Sequence, residues 1–180
     1  MLPEPFMNQQ EQPWFSLGIA GFLHHPHGRG NPDQEEAVQQ LNVLLRAEIS
    51  ASETYRLAID KLIKDGQDPS RVQTLREIQR EHIRAEQIFR KRISELGAAP
   101  QDSSGIEGAW ARIAIGTAQL FGDSAALHAL RDGEEQGLKE MQAGAKILDA
   151  ESEMLLEKVM IPAQARHVRR ITSLINLISA

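Results

Sequence analysis

The sequence contains no cysteine, which excludes disulfide bonds, cysteine-based metal sites and thiol catalysis. Aromatic residues make up only 4% of the 180 residues, and tyrosine occurs once. Runs of β-branched and aromatic residues, which are typical of strands, are missing. Alanine, leucine, glutamate, glutamine and arginine are common instead, and these residues favour helices. We therefore expect one all-α domain.

Long apolar runs and an excess of positive charge are also missing. No stretch reaches the ~18 apolar residues that would span a membrane. The amino end lacks the basic start and the long apolar run of a signal peptide. The net charge of −5 and the pI near 5.7 disfavour a nucleic-acid-binding protein. We therefore predict a cytoplasmic protein with no membrane segment and no nucleic-acid partner.

Prolines separate the first part of the chain from the rest. Residues 1–32 contain five prolines and an apolar patch at residues 14–23. These features predict a partly irregular N-terminal extension that lies outside the helical domain. The Ser-Leu-Gly-Ile sequence within the patch faintly resembles the short peptides that direct ferritin-like cargo into encapsulin shells. Cargo targeting is therefore one hypothesis for this segment.

Capping residues and helix breakers predict four long helices and one short helix within residues 33–180. The predicted ranges are residues 33–65, 69–96, 109–120, 123–149 and 152–178. Asp33 and Asp123 are expected N-caps, and Pro162 is expected to kink the last helix. Two helical hairpins joined by a longer connection are typical of four-helix bundles.

Each of the four long helices has one ionisable residue in the middle of its apolar stripe. A helix turns about 100° per residue, and the main apolar residues of each stripe lie within about 40° of the ionisable one. The four are Glu48, His82, Glu134 and His167. Burying two carboxylates without partners would cost several kcal/mol. A bound cation would stabilise them and use the imidazoles as neutral ligands, so we predict a metal site where the four meet.

An internal repeat supports the same four residues. The sequence from Gln79 to Arg84 recurs from Gln164 to Arg169, with an offset of 85 residues. The two glutamates, Glu48 and Glu134, have an offset of 86. The near-equality of the offsets indicates a duplicated hairpin, in which each half supplies one glutamate and one histidine.

Two segments resemble known families. The sequence from Leu41 to Glu48, with Tyr55 seven residues later, resembles the first helix of ferritins, bacterioferritins and rubrerythrins. The sequence from Leu120 to Leu138 is similar to a bacterial ferritin-like family recorded mainly as a domain of unknown function. The resemblance covers about residues 35–179, and it implies an antiparallel ferritin-like four-helix bundle.

The resemblance also implies roles for the four ionisable residues. Glu48 and Glu134 match the terminal carboxylate ligands of the relatives. His82 and His167 match the histidines of their two Glu-x-x-His motifs.

The sequence departs from that pattern at the glutamates of the two motifs. These are Gln79 and Gln164 here, whereas the corresponding glutamates bridge the two metals in the di-iron relatives. Two carboxylates neutralise one divalent ion but not an oxidised metal pair. Glu86, about 40° from His82, could restore one carboxylate, whereas Glu81, about 100° away, is expected at the surface. We therefore favour a mononuclear or asymmetric site for iron, manganese or zinc over a standard di-iron site.

Two main hypotheses for the function follow. The first is a ferritin-like metal-binding protein concerned with iron, oxygen or peroxide, and any enzyme activity would be that of a non-haem metal oxidoreductase. Tyr55 would then either neighbour the site or pack in the core. The second is a metal-free helical bundle with a structural, stress or interaction role. In both cases we expect a homo-oligomer, and among oligomers we favour a dimer.

Overall fold

The computed structural model describes residues 32–103 and 123–179. The described residues are helical, apart from short connections, and contain no strand. The predicted all-α class is therefore confirmed. The N-terminal extension with its apolar patch, and the short helix predicted at residues 109–120, lie outside the described residues.

The first two helices follow the sequence closely. Helix α1 covers Pro32–Lys64, and helix α2 covers Pro69–Glu95. The prediction of Asp33 as the N-cap is wrong, because the helix already includes Pro32 and Asp33 lies in its first turn. The turn between them contains Gly66, whose φ of 69° is accessible to glycine at little cost. The Asp68 side chain then accepts a hydrogen bond from the Ser70 amide and caps α2.

The second half of the described chain is less regular than its pattern suggested. Helix α3 covers Asp123–Gly144, and a 3₁₀ turn covers Ala145–Ile147. The prediction of a continuous α-helix up to Asp149 is therefore wrong, because the last turn tightens and Leu148 becomes extended.

A composite helix follows this turn. It consists of helix α4 (Ala150–Leu155), a π turn (Leu156–Met160) and helix α5 (Ile161–Ser179). It starts two residues earlier than predicted, because the Asp149 side chain accepts hydrogen bonds from the backbone amides of Glu151 and Ser152. The π turn ends two residues before Pro162, where a kink was predicted, and it changes the hydrogen-bond register ahead of the residue that lacks an amide hydrogen.

The long helices share two hydrophobic clusters. The first cluster includes Ala51, Tyr55, Ala58, Ile59, Leu62, Val72, Leu75, Ile78, Leu127, Leu130, Ile171, Leu174 and Ile175. The second includes Leu41, Leu44, Leu45, Ile49, Phe89, Ile93, Met141, Ala145, Leu156 and Met160. In α2, α3 and the composite helix, the predicted ionisable residue falls between the members of the two clusters. In α1, Glu48 lies among the last members of the second cluster, just before the first begins. No helix among the described residues is long and apolar enough to cross a membrane.

A nearly buried arginine fixes the start of α4 against the end of α2. Arg92 is 9% exposed, and its guanidinium donates to Ser152 Oγ at 2.8 Å, to Asp149 at 2.7 Å and to Glu151 at 2.8 Å. Partial burial alone would raise the pKa of Asp149, but hydrogen bonds from Ser152 and the nearby Arg92 lower it below its ordinary value. Asp149 therefore stabilises the fold in its ionised form.

We expect Asp149→Ala to lower the free energy of unfolding by about 1–2 kcal/mol at neutral pH, because it removes the cap of α4 and one of the partners of Arg92. Since the folded pKa is depressed, the carboxylate's contribution is present above the unfolded pKa of about 3.9 and is lost as the pH falls through the folded value. The difference in the free energy of unfolding between variant and parent, measured by denaturant unfolding, should become smaller in acid. Asp102→Ala is the control, since Asp102 is 92% exposed and its surface ion pair with Arg90 should matter little. Equal effects of the two substitutions would contradict this account.

Candidate metal centre

The four ionisable residues singled out in the sequence are all buried in the middle of the helices. Glu48 is 4% exposed, His82 1%, Glu134 0% and His167 3%. Each comes from a different long helix, namely α1, α2, α3 and α5. They form one continuous set of contacts, and Glu134 lies at its centre.

Both histidines face the two carboxylate oxygens of Glu134. His82 Nε2 lies 3.1 Å from Glu134 Oε1, and His167 Nδ1 lies 3.4 Å from Oε2. The Tyr55 hydroxyl donates to Oε1, and the Gln164 amide donates to Oε2 at 2.6 Å. Burial alone would raise the pKa of Glu134, but the two histidines lower it to about 2. Glu134 is therefore an ionised carboxylate in the core.

His82 lies between two carboxylates. Its Nδ1 is 2.7 Å from Glu48 Oε2, and its Nε2 faces Glu134. Burial alone would lower the pKa of His82, but the charges of Glu134 and Glu48 raise it to about 10. Without a metal ion, an imidazolium at this position satisfies both carboxylates.

His167 is held differently, because only one of its nitrogens has a hydrogen-bond partner. Its Nε2 lies 3.0 Å from Glu81 Oε2. Its Nδ1 is buried and makes no hydrogen bond among the described residues, although it lies within ion-pair distance of Glu134 Oε2, at 3.4 Å. Burial alone would lower the pKa of His167, but the Glu134 carboxylate, followed by Glu81, raises it. A buried nitrogen that faces a carboxylate without bonding to it suits a metal ligand.

Three of these side chains form a group compact enough for one ion. One ligand atom each from His82, Glu134 and His167 lies within 4.8 Å of the others. Two ligands that are each about 2.1 Å from an ion are at most about 4.2 Å apart, so a bound ion would draw the most distant pair together by at least roughly half an ångström. The donor set of two imidazoles and one carboxylate fits iron, manganese or zinc.

Glu48 and the two glutamines relate to this group in different ways. Glu48 reaches it only through His82 and is not one of the three compact ligands. Gln164 bonds directly to Glu134, whereas Gln79 donates to the backbone oxygen of Ser52 at 3.2 Å. Both glutamines therefore donate to oxygen atoms, and neither adds a carboxylate to the group.

The other two candidates differ in depth. Tyr55 is fully buried and bonds to the central carboxylate, so it both packs in the core and touches the site. Glu86 is half-buried and accepts a hydrogen bond from Ser52 Oγ at 2.6 Å. Burial, with the charge of Glu48, raises the pKa of Glu86 above its ordinary value. Glu86 therefore lies beside the site, on the Glu48 side.

The expectation that Glu81 is a surface residue is wrong. Its side chain is 21% exposed, and it contacts His167 and Arg170, each at 3.0 Å. The helix phase was right, but α5 packs on that side of α2 and covers it. The internal repeat could have indicated this contact. Glu81 and Arg166 occupy equivalent positions in the two copies and carry opposite charges, and their side chains lie 3.9 Å apart.

The described residues thus define an all-helical protein with a buried His/Glu/His group that could hold a metal ion. The chain belongs to the family described as Domain of unknown function (DUF2383), which matches residues 36–146. The matched range contains Glu48, His82 and Glu134 but ends before His167. No curated protein and no solved structure matches the chain.

The single tyrosine offers a direct test of the site's burial. Burial, together with the charge of Glu134, raises the pKa of Tyr55 well above its ordinary value. Its contribution to stability is therefore complete below the unfolded pKa of about 10 and falls as the pH rises beyond it. We expect phenolate absorbance to appear only when the protein unfolds, as followed by circular dichroism. Tyr55→Phe should show no phenolate signal. A phenolate that titrates near pH 10 in the folded protein would contradict the burial of this hydroxyl.

Proposed function

We propose that this chain is a metal-binding protein in which His82, Glu134 and His167 hold one divalent transition-metal ion. The observation that carries the proposal is the buried Nδ1 of His167, which faces Glu134 without a hydrogen bond. A polar nitrogen in the core normally finds a partner, because leaving it unsatisfied costs about 1–3 kcal/mol. A metal ion between the two imidazoles and Glu134 would give this nitrogen a partner.

The donor set favours one ion over a pair. Two histidines and one carboxylate form a set that is used by mononuclear non-haem iron proteins. Gln79 and Gln164 provide no bridging carboxylates, and Gln164 already donates to Glu134. Glu48 adds a second negative charge behind His82, so two carboxylates balance one divalent ion. An iron or manganese ion here would supply redox chemistry towards oxygen or peroxide, and a zinc ion would not.

The arrangement of the helices supports a ferritin-like bundle. The first hydrophobic cluster combines the carboxyl-terminal halves of α1 and α5 with the amino-terminal halves of α2 and α3. Neighbouring helices of each hairpin then run in opposite directions, whereas α2 and α3 run in the same direction. Such a bundle needs one long connection that returns along its length, and ferritin-like folds have one crossover of this kind. In the sequence, residues 96–122 separate α2 from α3.

The metal content of the purified, tag-free chain tests the proposal. We expect close to one metal ion per chain after loading with Fe²⁺ (without oxygen), Mn²⁺ or Zn²⁺. Loading at 100 times the dissociation constant should stabilise the fold by about 2.7 kcal/mol, visible as a rise in Tm. Glu134→Ala and His167→Ala should abolish both effects.

Glu135→Ala is the matched control, because Glu135 is the half-exposed neighbour of Glu134 and pairs with Arg131 at 3.6 Å. It should bind metal as the parent does. Metal content far below one ion per chain, with no change in Tm for any of the three ions, would contradict the proposal.

A metal-free role is the second candidate, and the position of His82 favours it. Its two nitrogens lie 2.7 and 3.1 Å from carboxylates, so an imidazolium already compensates both charges. The chain would then be a structural, stress or interaction protein with a polar network in its core. His82→Ala should in that case destabilise the protein strongly, whereas metal ions should not shift Tm in either variant or parent.

We further propose a cytoplasmic homodimer. The absence of cysteine suits a reducing compartment, and the two-fold dimer is the commonest form of soluble homo-oligomer. Sedimentation of the full chain tests the oligomeric state, and fractionation of cells that express it tests the location. A monomer at micromolar concentration, or a secreted chain, would contradict these two expectations respectively.

A further inference from the structure

We propose that Glu81, held by Arg170, is the positioning residue that directs Nδ1 of His167 towards the metal site. This inference rests on the proposed function, since it assigns a role around the same ion. It adds a residue from outside the central group, on the side of α2 that α5 covers.

Each of the two carboxylate oxygens of Glu81 contacts a different residue. Oε2 lies 3.0 Å from His167 Nε2, and Oε1 accepts a hydrogen bond from Arg170 Nη1 at 3.0 Å. Arg170 also donates to Glu77, and Arg166 lies 3.9 Å from Glu81 Oε2. The ion pair with Arg170, with Arg166 close by, keeps Glu81 in its carboxylate form.

An ionised carboxylate only accepts hydrogen bonds, so the facing nitrogen of His167 must carry a hydrogen. In a neutral imidazole, the other nitrogen is then the one with the free lone pair. For His167 this nitrogen is Nδ1, which is buried and faces Glu134. A carboxylate that holds the remote nitrogen of a metal-binding histidine fixes both the ring orientation and the ligand atom.

Arg170 explains why Glu81 stays in place. The Glu81 side chain is 21% exposed and could otherwise turn towards water. Arg170 fixes one of its oxygens, and the carboxylate therefore presents the other oxygen to His167. Glu77 shares Arg170 with Glu81 but does not contact the histidine, and it provides a control on the same helix face.

The first experiment measures Zn²⁺ affinity of the full chain by titration against a competing chelator. Glu81→Ala should weaken binding about 10- to 100-fold, as is typical for loss of an outer carboxylate. Glu81→Gln keeps the shape and a neutral acceptor, so it should recover part of the affinity. Glu77→Gln removes a carboxylate from the same arginine and should bind Zn²⁺ as the parent does.

The second experiment identifies the nitrogen of His167 that carries the metal, by ¹⁵N NMR of the Zn²⁺-loaded, histidine-labelled protein. A purely structural role of Glu81 would not change this nitrogen. We expect a metal-bound Nδ1 and a slowly exchanging Nε2–H in the parent and in Glu77→Gln. In Glu81→Ala the Nε2–H should exchange quickly or a second ligation form should appear, and in Glu81→Gln the parent signals should largely return.

The outcomes separate this inference from the proposed function. A parent that binds Zn²⁺ through His167, with Glu81→Ala and Glu81→Gln both indistinguishable from Glu77→Gln, would overturn the role of Glu81 and leave the metal site intact. A parent that binds no metal would overturn both. If Glu81→Ala fails to fold, Glu81→Gln against Glu77→Gln decides the question in the same two measurements.

Discussion

A negative charge at the centre of a helical core is the constraint on which this structure depends. Glu134 has no exposed surface, and its pKa is nonetheless lowered to about 2. A carboxylate without partners would be neutral or very costly at this depth. The fold must therefore deliver positive charge or hydrogen-bond donors to this point from every side. It delivers His82, His167, Tyr55 and Gln164, from three different helices.

This requirement links the register of the helices to the chemistry of the site. A shift of any helix by one turn would move its contribution about 5 Å away and leave the carboxylate under-compensated. The two hydrophobic clusters stabilise the helices without specifying such a register closely, because one leucine can replace another at a neighbouring turn. The polar contacts between the clusters are directional, and a change of register would break them. The buried charge thus costs stability but favours one arrangement, as buried polar groups do in some other helical assemblies.

The sequence was sufficient for the fold class, for three helix starts and for the depth of the central residues, because these follow from local rules. Capping residues define helix ends, and the angular position of Glu48, His82, Glu134 or His167 on its helix defines which side faces the core. The same rules could not identify what lies beside a helix. Glu81 has the angular position of a surface residue, and only the packing of α5 against α2 covers it. The early end of α3 and the π turn were also not predicted, because the stripe of apolar residues continues through both segments.

Gln164 bears on how many metal ions the proposed site would hold, because it limits the number of carboxylates there. A glutamate there would place a second carboxylate against Glu134, and one of the two would take up a proton unless a further cation compensated its charge. The amide instead donates to Glu134 Oε2 at 2.6 Å, and also to the Glu134 backbone oxygen at 3.1 Å. Gly137 makes room for it, since a Cβ at that position would lie 2.9 Å from the amide nitrogen. A glycine and a glutamine therefore stabilise the single carboxylate without adding a second negative charge. This local arrangement suits a site for one divalent ion, and it suits an imidazolium at His82 when no ion is bound.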